Sequence, residues 1–350
     1  MGVVLKPGWL YFLRDRDYRS GAEGDYVKIG LTNFERPVAD RIDDHQTGNP
    51  RELYSLHEMQ VSAISTVENY LHHQYAVSRV HGEWFEMSDS QIGEAIEKAE
   101  QLNELIERHR KEIELGMEIY NMPSNGVVRE ASDYDLALGE EWLRAKERHV
   151  MAKSTSTLHR ERLLRMMGSC RGVEGVIDFQ DKVRSASTDK SSIKKLHPDL
   201  VDRYSSSKAS VSGILKAEFA NPSLEDLDES LADRIKIEKA GKHDGGEPDD
   251  YDDSPAPRTP EIEEAHMALL SSLGEERESK IHLDLAVDRA KAACGMDDGI
   301  EGVCRWKRVE VESSVIDWKG LEGDNPDVVD ANTTPEKRIA AFKVKPYRPY

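Results

Sequence analysis

The alternation of apolar and polar residues over the first ninety positions predicts a small sheet flanked by helices. Apolar runs at 8–13 and 26–30, joined by a polar loop with two glycines, predict a β-hairpin. The alternating segment 53–59 predicts a third strand. Helical patterns begin at Thr32, before this strand, and at 64–77, after it. We therefore expect an α+β unit with a three-stranded antiparallel sheet.

Beyond this unit, the pattern predicts one connecting helix and then an internal repeat. Apolar residues at three- and four-residue spacing run through 91–121, where a Pro-Ser-Asn-Gly sequence follows. The segment that begins at Gly168 aligns with the segment at Gly295, and a Pro-Asp motif recurs at 198–202 and 326–330. A long helical pattern precedes each copy. Each repeat is therefore predicted to be a helix or helix hairpin, a glycine turn, short β-strands and a short helix.

These patterns divide the chain into five segments. They are the N-terminal unit at 1–90, the connecting helix at 91–121, a first accessory repeat at 130–222, an acidic linker at 239–260 and a second accessory repeat at 261–350. The linker is rich in Gly, Pro and Asp and has few apolar residues to bury, so we expect it to be flexible.

Composition narrows the classes of function. The chain has 350 residues, a formal net charge of −19 and 33% charged residues, so it has the length for two or three domains and an acidic surface. DNA binding depends on Lys and Arg that neutralise phosphates, and an acidic chain is poorly suited to it. A local basic cleft would have to come from Lys28, Arg36, Arg41, Arg51 and Arg79.

The cellular location is predicted to be the cytoplasm. No apolar run reaches the ~18–20 residues of a membrane helix, and no signal-peptide pattern begins the chain. The cysteines Cys170, Cys294 and Cys304 lack paired metal-ligand spacing and are expected to be reduced. We expect no membrane partner.

The order of motifs in the N-terminal unit resembles the viral branch of the GIY-YIG nuclease family. The resemblance covers about the first quarter of the chain and lies in Gly-Trp-Leu-Tyr at 8–11, Arg-Ile-Asp-Asp-His at 41–45, and Gly-Glu-Trp-Phe at 82–85. It implies that Tyr11 is the first tyrosine of the family, Arg41 the helix arginine and Glu68 the metal-binding glutamate. Where better-known members have a second tyrosine, this chain has Lys28.

The chemistry of phosphodiester hydrolysis suits these residues. Mg²⁺ or Mn²⁺ prefers oxygen ligands and keeps several waters, so Glu68 alone can suffice as a protein ligand. Arg41 would neutralise charge on the phosphate. Tyr11 would act as general base if metal or neighbouring charge lowers its pKa from about 10. Lys28 would assist by lowering that pKa or by gripping phosphate.

Three further residues are second-rank candidates, and each has a plain structural alternative. His72 lies four residues after Glu68 on one helix face, which is more often a solvated face. Arg36 is either a second phosphate contact or a surface charge. Trp84 is either a substrate-binding group or a packing residue. Tyr11 itself would by default be a core tyrosine.

The repeats resemble the accessory C-terminal region of YqaJ-type phage exonucleases, where a strand of the form Ile-x-Gly-Val-x-x-Trp-Lys follows helices. The sequence at 300–307 carries this resemblance. It implies modules for DNA engagement, self-association or binding of a protein partner. A structural pair of modules without a ligand is the alternative.

Together, the two resemblances imply a metal-dependent DNA endonuclease of a phage or mobile element, acting in the host cytoplasm. The rival interpretation is a DNA-binding or regulatory protein that keeps the fold without the activity. Lys28 in the tyrosine position and the acidic charge balance both favour this rival.

Overall fold

The computed structural model describes residues 2–346 and has the predicted α+β class. Met1 and residues 347–350, the end of the second predicted repeat, lie outside the described residues. The N-terminal sheet consists of β1 (Gly8–Arg16), β2 (Glu23–Asn33), β3 (Glu52–Val61), β4 (Arg79–His81) and β5 (Trp84–Glu86). All pairs are antiparallel, in the order β3-β1-β2-β5-β4. The sheet therefore has five strands, two more than the sequence predicts. Gly82, with a φ of 55°, turns the chain into an additional hairpin.

The two faces of this sheet carry different helices, α1 (Val38–Gln46) and α2 (Ile64–Gln74). Successive residues of a strand point to opposite faces. Leu10 and Phe12 of β1 therefore pack with Val67 of α2 in the main core. Tyr11 packs with Val38 of α1 in a smaller cluster on the other face.

Helix α1 begins later than the sequence predicts. Strand β2 continues to Asn33, and Pro37 is the N-cap of the helix. Proline disfavours the helical conformation in the residue before it, so a helix that begins at Thr32 would be interrupted. Arg36 consequently precedes the helix that carries Arg41.

The connecting segment forms two helices, α3 (Asp89–Arg108) and α4 (Arg110–Ile119), so the prediction of one helix is wrong. Ser88 caps α3 in a capping box with Gln91. The break lies at His109, whose φ of −106° and ψ of 11° interrupt the helical ladder. Ile106 and Ile113, on either side of the break, both remain buried in the main core.

The rest of the described chain is built on two 35-residue helices with small sheets at their ends. The helices are α5 (Asp133–Met167), α6 (Lys190–Leu196), α7 (Pro198–Arg203), α8 (Leu224–Leu227), α9 (Glu229–Ala240), α10 (Pro260–Cys294), α11 (Trp318–Asp324) and α12 (Pro326–Ala331). The strands are β6 (Val128–Arg129), β7 (Gly172–Val173), β8 (Ile177–Arg184), β9 (Ser187–Thr188), β10 (Ser205–Ser212), β11 (Lys216–Ala217), β12 (Gly299–Ile300), β13 (Cys304–Arg305), β14 (Val309–Ile316), β15 (Thr333–Thr334) and β16 (Lys337–Val344).

The long helices α5 and α10 pack against each other in opposite directions. Arg289 of α10 forms an ion pair with Glu141 of α5, and Ser272 Oγ of α10 lies 3.2 Å from Ser156 Oγ of α5. The later residue of α10 therefore contacts the earlier residue of α5, as antiparallel packing requires. The helical hairpin is therefore formed between the two repeats, and each repeat contributes a single helix. Each helix is about 50 Å long, so its C-terminal strands lie at opposite ends of the pair.

The strands of the repeats also pair between the copies. Strand β8 pairs with β16 and β10 pairs with β14, each antiparallel over eight residues. These are two separate ribbons, and no hydrogen bond or ion pair joins one to the other within residues 2–346. Helices α6, α7, α11 and α12 meet in one small cluster around Ile193 and Leu321. The two predicted repeats are therefore interleaved through their strands, an arrangement that the strand pattern alone does not specify.

The segment 239–260, expected to be a flexible linker, packs through Tyr251 against the β8–β16 ribbon, to which each repeat contributes one strand. The Tyr251 ring centroid lies 5.9 Å from that of Phe179 and 5.0 Å from that of Phe342. The average composition of this segment is polar, and it therefore gave no indication that Tyr251 packs in an aromatic cluster. The predicted domain boundaries themselves stay predictions.

Candidate active site

Tyr11 lies in β1 on the face that α1 covers, and its side chain is fully buried. Its ring lies against the backbone of Gly30, the opposite residue in β2. A Cβ at Gly30 would be only 2.6 Å from the Tyr11 Oη. Gly30 therefore allows the ring to cross β2, and this contact fixes the position of the hydroxyl.

Two side chains of α1 meet the Tyr11 hydroxyl. Arg41 and His45 are four residues apart and so lie on one helix face. His45 Nε2 is 3.4 Å from Tyr11 Oη. Arg41 contacts the same hydroxyl and donates a 2.9 Å hydrogen bond to Asp44. The structure thus brings Tyr11 and Arg41 together and adds His45.

The electrostatics of this cluster differ from the expectation for Tyr11. Burial raises the pKa of Tyr11, and the opposing effect of Arg41 is smaller. The base role of Tyr11 was conditional on a pKa lowered by metal or neighbouring charge. The neighbouring side chains do not meet this condition, and the phenol is protonated near neutral pH. Burial, followed by the charges of Lys28 and Arg41, lowers the pKa of His45. His45 is therefore a neutral imidazole near neutral pH.

Lys28 is held by Glu83. Lys28 lies opposite Trp84 in the β2–β5 pair, and its buried ammonium forms an ion pair with the Glu83 carboxylate. The ion pair with Lys28 lowers the pKa of Glu83, although burial alone would raise it. Lys28 is therefore neutralised in place and does not present a free ammonium to solvent.

Glu68 is the carboxylate with the most perturbed environment in this unit. It is half-buried on α2 and forms no hydrogen bond or ion pair within the described residues 2–346. Burial, followed by the like charge of Glu83, raises the pKa of Glu68 from 4.5 to about 7. The positive charges of Lys28 and Arg79 oppose this rise in the pKa of Glu68 but do not outweigh burial and the charge of Glu83.

The donor set around Glu68 fits a hard divalent cation. Within residues 2–346 there is no group of three or more His, Cys, Asp or Glu side chains that would hold a metal by themselves. Mg²⁺ binds through one or two carboxylates and keeps several waters, so Glu68 with the nearby Glu83 meets its requirement. A site for zinc, which takes three or four protein ligands, is not formed by these residues.

His72 occupies a structural position. Its side chain is buried, its Nε2 lies 2.9 Å from the Ile29 carbonyl oxygen, and its ring centroid is 5.3 Å from that of Phe85. Burial lowers the pKa of His72 to about 4, so the ring is neutral and Nε2 donates to the carbonyl. This bond holds α2 on β2 and thereby positions Glu68, one helical turn away.

Arg36 and Trp84 flank the cluster at the surface. Arg36 donates to Asp44 at 2.7 Å, so Asp44 binds both Arg36 and Arg41. Trp84 is half-buried and lines an open cleft of about 490 Å³, whose other walls are Asp15, Tyr26, His45 and residues 47–50. His45 is therefore the member of the Tyr11 cluster that reaches this cleft.

The predicted basic cleft is largely neutralised by neighbouring acids. Arg36 and Arg41 pair with Asp44, Arg51 pairs with Asp15 at 2.9 Å, and Lys28 pairs with Glu83. Three carboxylates thus offset three of these four positive charges. For Arg41 to bind a phosphate in this cleft, its guanidinium would have to break the ion pair with Asp44.

Sequence reasoning assigned no role to two residues of this site, His45 and Glu83. His45 could have been found from its spacing, because it follows Arg41 by one helical turn within the motif at 41–45. Glu83 lies in the Gly-Glu-Trp-Phe motif, but its pairing with Lys28 depends on the β5 strand, which the pattern did not predict.

Comparison with known proteins gives one family match, in the N-terminal part of the chain. Residues 8–100 match the family model of the T5orf172 domain. This match indicates a phage-related, DNA-associated function for that part of the chain. No curated protein and no solved structure matches the sequence. None of the helices within residues 2–346 is long and apolar enough to cross a membrane.

Proposed function

We propose that the N-terminal unit is a metal-dependent DNA endonuclease of the GIY-YIG type that hydrolyses phosphodiester bonds. The observation that carries this proposal is the state of Glu68, a half-buried carboxylate without a partner whose pKa is raised to about 7. Carboxylates with such strongly perturbed pKa values are typical of functional sites. The T5orf172 match supports a DNA substrate and a phage or mobile-element source.

Glu68 would hold Mg²⁺ or Mn²⁺, with Glu83 as the second carboxylate nearby. The cation would stabilise negative charge on the phosphate oxygens. Arg41 complements this role, because its planar guanidinium matches two phosphate oxygens once it leaves Asp44. Arg36, which shares Asp44, would neutralise the acid that Arg41 releases.

His45 is the better candidate for general base. It is neutral, lines the cleft and contacts the Tyr11 hydroxyl at 3.4 Å. Tyr11 is fully buried with a raised pKa, so its role is to position His45 and Arg41. Lys28 helps to keep His45 neutral through its charge, which lowers the pKa of His45. Trp84 would support the substrate across the cleft.

A second candidate function is a DNA-binding protein that keeps this fold without cleaving. The burial of Tyr11 and the neutralisation of Lys28 by Glu83 both favour it, since neither residue meets substrate directly. The two candidates share a DNA partner and differ in whether a cation at Glu68 leads to strand cleavage.

Cleavage of supercoiled plasmid in Mg²⁺ or Mn²⁺ separates the two candidates. Purified parent protein is compared with Glu68→Ala and with Glu104→Ala, which changes an exposed glutamate on α3. Nicking or linearisation by the parent and by Glu104→Ala, but not by Glu68→Ala, supports the endonuclease. DNA binding without cleavage in both metals supports the binding protein. Neither cleavage nor binding overturns both candidates.

A further inference from the structure

The β8–β16 ribbon has one strongly basic face. Directly opposite residues of an antiparallel pair lie on the same face, as do alternate residues of one strand. Arg184 lies opposite Lys337, Asp178 lies opposite Lys343, and Lys182 lies between them. Four cations therefore share this face, and all four side chains are exposed.

Most of these cations lack acidic partners. Lys337 forms a 3.2 Å ion pair with Glu247, and Asp178 pairs instead with Lys345, at 3.3 Å. Lys182, Arg184 and Lys343 form no hydrogen bond or ion pair within residues 2–346. In a chain with 67 acidic and 48 basic residues, these three cations on one face remain available to an anionic partner.

The second ribbon provides an internal comparison. Asp189 is the N-cap of α6 in the first repeat, and Asp317 is the N-cap of the corresponding helix α11 in the second repeat. These two positions are 128 residues apart. The same offset places Glu310 and Glu312 of β14 at the positions of Lys182 and Arg184. The repeats thus share a backbone arrangement but carry opposite charge at these positions. A basic face is therefore not required to form the ribbon.

We propose that the basic face of the β8–β16 ribbon binds the phosphate backbone of duplex DNA. From Lys343 to Lys337 the face is about 20 Å long, a span over which a duplex presents several phosphates. A two-stranded ribbon also has the width that the major groove admits. This inference rests on DNA as the partner of the proposed function, but it assigns binding to a surface separate from the Glu68 site.

The test is equilibrium binding of a labelled duplex in EDTA, so that no metal-dependent cleavage occurs, at several salt concentrations. Lys182→Gln/Arg184→Gln is compared with Lys208→Gln/Lys216→Gln, which removes one exposed lysine from β10 and one from β11. We expect the first variant to bind at least about 10-fold more weakly, and its log–log salt slope to fall by about 2. The control should change affinity by less than about 3-fold.

The outcomes distinguish this inference from the proposed function. Equal affinity for the two double variants, with binding by the parent, overturns the ribbon assignment and leaves the nuclease proposal standing. No binding by the parent at low salt also overturns the ribbon assignment, and the nuclease proposal is then decided by the plasmid cleavage assay alone. All four substituted side chains are exposed, and unchanged thermal unfolding midpoints would show that the variants fold normally.

Discussion

The raised pKa of Glu68 predicts that Glu68→Gln stabilises the protein at high pH. A carboxyl group with a raised folded-state pKa stabilises the fold while it is protonated, and this stability is lost as pH rises from 4.5 to about 7. The shift corresponds to about 3 kcal/mol at about 1.4 kcal/mol per pH unit. Partial exposure of Glu68 reduces the expected effect to about 2 kcal/mol. Glutamine resembles the protonated acid and carries no such penalty.

The assay is urea unfolding in EDTA, monitored by tryptophan fluorescence. The advantage of Glu68→Gln over the parent should grow by about 2 kcal/mol between about pH 5 and about pH 8. Glu104→Gln, on the exposed face of α3, should show no such growth. Added Mn²⁺ should stabilise the parent at high pH but not Glu68→Gln, because only the parent offers a carboxylate. A stability difference that does not change with pH would refute the account of Glu68 as a buried, unpaired acid.

Three further predictions concern the surroundings of this site. Gly30→Ala should lower stability by about 1–3 kcal/mol in urea unfolding, since its Cβ would lie 2.6 Å from Tyr11 Oη; an unchanged midpoint would contradict the contact. His45→Gln should reduce the single-turnover cleavage rate by at least about 100-fold and Tyr11→Phe by less, and the reverse order would make Tyr11 the base. Arg277 lines a cavity of about 360 Å³, and its Nε is buried without an acceptor. Arg277→Met should therefore leave the urea midpoint unchanged or raise it, and a loss above about 1 kcal/mol would show an unseen partner.

Local pattern was sufficient for the main elements of the N-terminal unit. The apolar runs of β1 and β2 and the helix that carries Glu68 follow from spacing alone. The same spacing did not reveal that Tyr11 is sealed between β1, β2 and α1, because burial depends on which face each helix covers. The raised pKa of Tyr11 and the reassignment of the base to His45 both follow from that tertiary contact.

The repeats show a different limit of sequence reasoning. Their recurrence was visible in the glycine and Pro-Asp motifs, and both helices end at a glycine with positive φ, Gly168 and Gly295. Which strands pair could not be predicted, because β8 and β10 have no feature that favours a partner in the other copy over one in their own. The opposite charges of Lys182 and Glu310 can be compared only when the structure shows that the two ribbons are equivalent.

The most direct test of the central claim is the rate of strand cleavage under single-turnover conditions with the protein saturating and Mn²⁺ present. Saturation removes differences in DNA affinity, so a change in rate reports on the chemical step. The account predicts that Glu68→Gln cleaves at least about 100-fold more slowly than the parent, with Glu104→Gln unchanged. Equal rates for the parent and Glu68→Gln would contradict the assignment of the metal to Glu68.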